Sequence, residues 1–174
     1  MSEFTKSLLK DILIAVILAS IILFFIRPTV VKQTSMQPTF NPNDYVILYK
    51  RAYSNKMPKR GDVIVFESSI LDQNGKDKLL IKRVIGLPGD IITIKDDKLY
   101  INGNIYEEDY LKDGITPGLI DNLKVPDGEF FVMGDNRVVS LDSRSEEVGT
   151  IKKSRIRGKA VIRLFPFNKI KTFN

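Results

Sequence analysis

The feature that most constrains this chain is an unbroken apolar run, Ile12 to Ile26 (ILIAVILASIILFFI), whose only polar member is Ser20. A helix that crosses a bilayer wants about 20 such residues. Leu8 and Leu9 extend the run beyond Lys10 and Asp11, while Lys10 and Arg27 can snorkel toward the interfaces. A cleaved secretory signal is the rival reading, since its apolar region is only a little shorter. Against it, no A-x-A-like site followed by a polar start is present; the chain runs on through Arg27 and Pro28 into further apolar residues. The expectation is a retained single-pass anchor over residues 12–27, preceded by a short flank, residues 1–11. Lys6 and Lys10 on one side nearly balance Arg27 and Lys32 on the other, so the positive-inside rule leaves the orientation open.

Residues 28–174 are enough for one domain with a core of its own. Short runs rich in β-branched and aromatic residues follow one another, each bounded by Pro, Gly, Asn or Asp: Tyr45–Tyr49, Asp62–Phe66, Leu79–Ile81, Glu129–Met133 and Ala160–Leu164. Asp90 to Tyr106 reads as a meander turning at Asp96-Asp97 and at Asn102-Gly103. Glu107 to Pro126 has little periodicity and is expected to wander over the surface. The fold class is therefore mostly β, antiparallel, with at best one short helix after the N-terminal one.

Two missing residue types narrow the chemistry. Without cysteine there is no disulfide, thiol nucleophile or thiolate metal site. Without histidine, a Ser-His-Asp triad and the usual zinc sites are excluded, so any reactive serine needs another base. The net charge of +6, from 27 basic against 21 acidic residues, comes from scattered side chains apart from Lys152-Lys153-Ser154-Arg155-Ile156-Arg157. A solvated basic surface explains it, and no nucleic-acid partner is expected.

Three polar clusters sit where strands end or turns begin. In Ser35-Met36-Gln37-Pro38-Thr39, Pro38 keeps Gln37 out of helical geometry, which puts Ser35 at a rigid, extended corner facing solvent. A serine beside a proline is by itself only a turn. In Lys82-Arg83-Val84-Ile85-Gly86-Leu87-Pro88-Gly89-Asp90, alternation sets Lys82 on the face of Leu80 and Val84. A lysine buried there loses affinity for its proton and can act as a base; a lysine that snorkels out from a strand edge is the plainer alternative. The third cluster, Gly134 to Arg144 (GDNRVVSLDSR), gathers acids, amides, hydroxyls and two arginines after an apolar strand. Such a loop holds a site rigid through its own ion pairs. Its arginines argue against a bound cation.

Taken in chain order, the three clusters and Gly61-Asp62-Val63-Ile64-Val65-Phe66 resemble the boxes of type I signal peptidases (leader peptidases), in the short form of Gram-positive bacteria. Gly149, Gly158, Ala160 and Phe165-Pro166 fit as well, so the resemblance runs from the anchor to Phe167. It implies two antiparallel sheets, Ser35 as nucleophile and Lys82 as general base, with no metal or cofactor. It further implies that Ser140 hydrogen-bonds and orients the lysine amine, and that Asp142 and Arg144 brace the loop. Val31, Met36, Leu80 and Ile81 match positions lining the pockets for small residues before the cut. The implied partners are the signal peptides of preproteins and membrane lipid, with the catalytic domain on the extracytoplasmic side. One departure stands out: Gln33 occupies an oxyanion-hole position where the family usually has glycine or serine. Two alternatives share parts of this pattern. A Ser-Lys autoproteolytic repressor would carry a helix-turn-helix module instead of the apolar run. A catalytically idle assembly factor for surface fibres would lack Ser35 or Lys82.

Overall fold

The computed structural model describes residues 2–173. It opens with helix α1 (Glu3–Phe25), whose first turn is capped by Ser2, the hydroxyl accepting from the Thr5 N–H at 3.2 Å. None of its residues is buried against the rest of the protein. Its 23 residues span about 34 Å, enough to cross a hydrocarbon core of about 30 Å. The helix differs from the expected span at both ends. It starts before Ile12 because the Ser2 cap and the Glu3–Lys6 pair, at 2.7 Å, support the polar flank. It stops before Ile26 because Arg27 precedes a proline and is biased toward extended geometry.

Ile26 and Arg27 instead open strand β1 (Ile26–Val30) with no intervening linker. Then come β2 (Tyr45–Tyr49), β3 (Val63–Leu71), β4 (Asp77–Gly86), β5 (Ile91–Lys95) and β6 (Lys98–Ile101). They are followed by β7 (Asn104–Ile105), β8 (Ile120–Lys124), β9 (Glu129–Met133), β10 (Ile151–Lys152), β11 (Ile156–Phe165) and β12 (Lys171–Thr172). All pairings are antiparallel. One sheet has the order β1-β2-β11-β3-β4-β9-β10, with β12 on β11; the other is β7-β6-β5-β8. Beyond α1 the only helical pieces among the described residues are short 3₁₀ turns, Lys153–Arg155 and Phe167–Lys169. Pro28 is tolerated because β1 is an edge strand.

The meander turns as expected. Asp96, Asp97, Asn102 and Gly103 all have positive φ, the geometry of two-residue hairpin turns. The segment expected to wander contains β8, which pairs with β5 through a register irregularity and carries Asn122 at φ 50°. Those two breaks erase the period-two signal.

The path of the chain sets up the site. After β4 it leaves for the four-stranded sheet and returns as β9 to pair with β4 again. Gly86 ends β4 at the junction, where a Cβ would lie within 3.0 Å of Phe131, Ile92 and Val125 side chains. The core there includes Ile85, Ile92, Ile94, Phe131 and Met133. A second cluster, with Met36, Phe40, Val46 and Leu48 at its centre, underlies the turn that carries Ser35.

Candidate active site

Strand β4 buries Leu80, Lys82 and Val84 on one face, as alternation requires. Lys82 is 1% exposed, and its Nζ donates to Ser35 Oγ at 2.7 Å. Burial pushes its pKa down from 10.5 to about 8. Asp142 and Asp135 pull the value back up, while Lys78 and Arg144 push it down. β9 pairs with β4 only from Arg83 onward, so Leu79 to Lys82 has β3 on one side and an open edge on the other.

The corner holding Ser35 is neither extended nor open. It is a tight turn in which the Gln37 N–H reaches Thr34 O at 3.1 Å and the Phe40 N–H reaches Met36 O at 2.8 Å; the Gln37–Pro38 bond is cis. Ser35 is buried because the Gly134–Arg144 loop packs on this turn: the Asn136 N–H donates to Ser35 O at 3.0 Å and its Nδ2 to Thr34 O at 3.3 Å. The contact demands glycine at 134, since a Cβ there would overlap Ser140 Oγ and Ser35 O.

Within the loop, Asp142 accepts from the Gly134 N–H at 3.0 Å and pairs with Arg144 through both carboxylate oxygens, at 2.9 and 3.0 Å. Arg144 also reaches Arg137 O and Ser140 O. Arg83, next to the lysine, pairs with fully buried Asp135 at 2.6 Å and reaches Gly61 O and Thr39 Oγ1. Both carboxylates of the site are therefore committed to arginines. A proton donor–acceptor pair remains, the Ser35 hydroxyl and the Lys82 amine.

Ser35 and Lys82 both line a cleft of about 330 Å³. Lys32, Gln33, Thr34, Lys78, Leu80, Val139 and Leu141 line it with them. A larger hollow of about 550 Å³, between β8 and the segment 143–150, contains neither Ser35 nor Lys82, so the chemistry belongs to the smaller one. Gln33 is in the cleft wall, and its side chain has no hydrogen-bond partner among the described residues. The same holds for the Ser35 N–H.

Four expected contacts differ. The buried Ser140 hydroxyl is not on the lysine amine; it has no partner among the described residues, because its side chain fills the space over Gly134 while Nζ turns to Ser35. Of the expected pocket residues only Leu80 lines the cleft. Val31 and Met36 lie in the core beneath the Ser35 turn, and Ile81 packs against that cluster from the opposite face of β4. Sequence reasoning also missed the Arg83–Asp135 pair and Asn136. Nothing in the local pattern links those positions across the detour through the second sheet.

Fold and site together define a class: a β-rich hydrolase domain with a buried serine–lysine pair, set directly behind an apolar helix. Residues 5–165 match the family model described as signal peptidase, peptidase S26. The chain belongs to that family. It is 41% identical over 172 residues to signal peptidase I of Bacillus licheniformis, covering 93% of this chain and 89% of that one. It is 40% identical over 177 residues to signal peptidase I S of Bacillus subtilis strain 168, covering 95% and 91%. A crystal structure of a signal peptidase I from Enterococcus faecalis V583 superposes with a TM-score of 0.51 at 35% identity, covering 61% of this chain and 98% of that one.

Proposed function

We propose that this chain is a membrane-anchored serine endopeptidase that removes signal peptides from exported preproteins, with Ser35 as nucleophile and Lys82 as general base. The observation that carries the reading is the 2.7 Å contact between Ser35 Oγ and the amine of a lysine that is 1% exposed. A lysine works as a base only when neutral, and burial brings its free form within reach of neutral pH.

The free Lys82 amine takes the Ser35 hydroxyl proton as Oγ attacks the peptide carbonyl. The Ser35 N–H, with Gln33 beside it, supplies donors for the oxyanion. Collapse breaks the C–N bond, and Lys82 gives its proton to the departing amine, leaving an acyl-serine. A water then attacks the acyl carbon as Lys82 accepts its proton; the bond from that carbon to Oγ breaks, Lys82 returns the proton to Oγ, and the free acid leaves with the Ser35 hydroxyl and the Lys82 amine restored. Asp142 and Arg144 hold the loop that shapes the site. The substrate fits as an added extended strand on the open edge of β4 at Leu79 to Lys82, with Leu80 selecting a small residue before the cut.

α1 anchors the domain, and the outer face of the first sheet suits a lipid surface. Ile26, Pro28 and Val30 of β1 lie opposite Tyr49, Ile47 and Tyr45 of β2, and Ile162 and Phe165 of β11 continue that face. Lys50 ties the junction by donating from its Nζ to Leu23 O at 2.6 Å. Residues from Ile26 onward form the catalytic domain, on the extracytoplasmic side where a translocated preprotein presents its cleavage site. Anchoring there raises the effective concentration of substrate. The test is to incubate the detergent-solubilised protein and its Ser35→Ala variant with a preprotein and locate the cut by mass spectrometry. Cleavage after a small residue, abolished in a folded Ser35→Ala protein, is expected. Wild-type protein that cuts nothing points to an idle assembly factor.

A further inference from the structure

Irregular segments of a β-protein ordinarily pass over the surface with few fixed contacts. The stretch from Glu108 to Pro117 instead grips the active-site loop repeatedly. Glu108 takes Arg137 through both carboxylate oxygens, Nη1 to Oε2 at 2.8 Å and Nη2 to Oε1. The Tyr110 hydroxyl donates to the same carboxylate, and the Tyr110 ring lies 4.0 Å under the guanidinium of Arg83. The Lys112 N–H reaches Asp135 O at 3.3 Å, Thr116 Oγ1 accepts from Arg137, and Pro117 O accepts from Arg144 at 2.9 Å.

The Glu108 and Arg137 side chains are only 2% and 1% exposed. A buried ion pair adds little net stability relative to apolar groups of the same volume, so fixing a geometry is the better account of this one. The geometry fixed is close to the reacting atoms. With its guanidinium held by Glu108, Arg137 donates from Nε to Gly134 O at 2.9 Å, and Arg137 O is held by Arg144. Between those two points lies Asn136, whose N–H and Nδ2 hold Ser35 O and Thr34 O. The chain of contacts is thus Glu108, Arg137, the 134–136 backbone and the Ser35 turn. Glu108 itself is not on the wall of the cleft.

We propose that Glu108 is a positioning residue for the Ser35–Lys82 pair, acting through Arg137 to fix the loop that holds the backbone of the nucleophile. This rests on the roles proposed for Ser35 and Lys82.

The experiment compares the full-length chain with Glu108→Gln, with the double variant Glu108→Leu/Arg137→Met and with Ser35→Ala. All are measured in the same detergent, on one preprotein with an Ala-x-Ala cut, at a temperature well below every thermal midpoint. A displacement of about 1 Å at a reacting group costs on the order of 100-fold, so Glu108→Gln is expected to lower kcat by roughly 10- to 100-fold. KM should stay within about twofold, because no cleft wall has changed. The double variant replaces the buried pair by apolar groups of similar size and should regain the wild-type midpoint while kcat stays low. Glu108→Gln with wild-type kcat, or a double variant that regains kcat together with stability, overturns the proposal; the pair then only supports the fold. Should the double variant not fold, the division of the Glu108→Gln effect between kcat and KM decides, a loss in KM alone counting against positioning. An active Ser35→Ala protein is a separate result, and it removes the functional reading beneath the proposal.

Discussion

Replacing Lys82 with methionine removes the charge and nearly preserves the shape, so it separates the roles of the amine in catalysis and in stability. The folded pKa lies near 8 and the unfolded one at 10.5, with burial as the chief cause. At a pH below both values the folded protein carries a penalty of about 3 kcal/mol for keeping this lysine protonated. Between them the unfolded chain binds more protons than the folded one, so this group makes wild-type stability rise with pH from about 8 to 10.5 and adds no slope outside that window. Lys82→Met escapes the penalty but leaves Ser35 Oγ without its partner, a loss of about 1 kcal/mol. The net gain at pH 7 is about 2 kcal/mol, or roughly 4–8 °C in Tm for a domain of this size. That gap should close as the pH approaches 10.5. Cleavage by the wild type should rise about tenfold per pH unit below 8 and level off above, following the free amine. Thermal midpoints by circular dichroism and single-turnover cleavage, both from pH 6 to 10, make the comparison. A Lys82→Met protein that still cuts would falsify the base assignment. A stability gap that does not narrow with pH would show that burial is not what shifts this lysine.

Gly134→Ala should cost about 1–3 kcal/mol in a denaturant titration and also depress cleavage, since the new methyl group overlaps both Ser140 Oγ and Ser35 O. Adding Ser140→Ala should not restore either property, because the clash with the Ser35 carbonyl remains; full rescue would place the strain on Ser140 alone. Lys78→Gln removes a charge that lowers the Lys82 pKa, so the rise of the pH–rate profile should move to higher pH, and further at low salt than at high. A profile that stays in place, or moves to lower pH, contradicts that coupling. Gln33→Gly should cut at close to the wild-type rate, because its side chain has no fixed partner and the backbone N–H of Ser35 is free to donate. A drop of about 100-fold, near 3 kcal/mol, would instead identify the glutamine amide as an oxyanion donor.

What could be read from the sequence was local. The ends of β2 and β9 coincide with the runs rich in β-branched and aromatic residues, and the hairpin turns fall at Asp96-Asp97 and Asn102-Gly103, because β-propensity and positive-φ preference act over a few residues. The phase of Lys82 with Leu80 and Val84 puts it on their face but leaves a snorkelling lysine as the plainer alternative; in the structure it is buried. What could not be read depends on pairing across the detour from β4 to β9. That return brings the Gly134–Arg144 loop down on the Ser35 turn and converts an apparently open corner into a buried one. Val31 and Met36 lie in the core beneath that turn with Val46, Leu48 and Val65, and a family match gives the residue type but not the face. Glu108 sits in a stretch with no periodicity, and only the fold puts Arg137 opposite it.

The carboxylates of the site present a problem of sign that the arginines resolve. Asp142 is needed for geometry, since it holds the Gly134 N–H, and Asp135 is needed to tie Arg83 beside the lysine. Left unpaired, either would favour protonated Lys82, opposing the burial that keeps the amine free of its proton. Arg144 lies on Asp142 through both oxygens and itself pushes the lysine down, so acid and base together act on Lys82 more nearly as a dipole than as a charge. Arg83 pairs with Asp135 through a bidentate contact. The loop therefore obtains its rigidity from ion pairs in which Arg144 offsets part of the pull of the carboxylates on the amine, and desolvation remains the dominant influence. A site without histidine can then hold a lysine near neutrality while surrounded by charged groups.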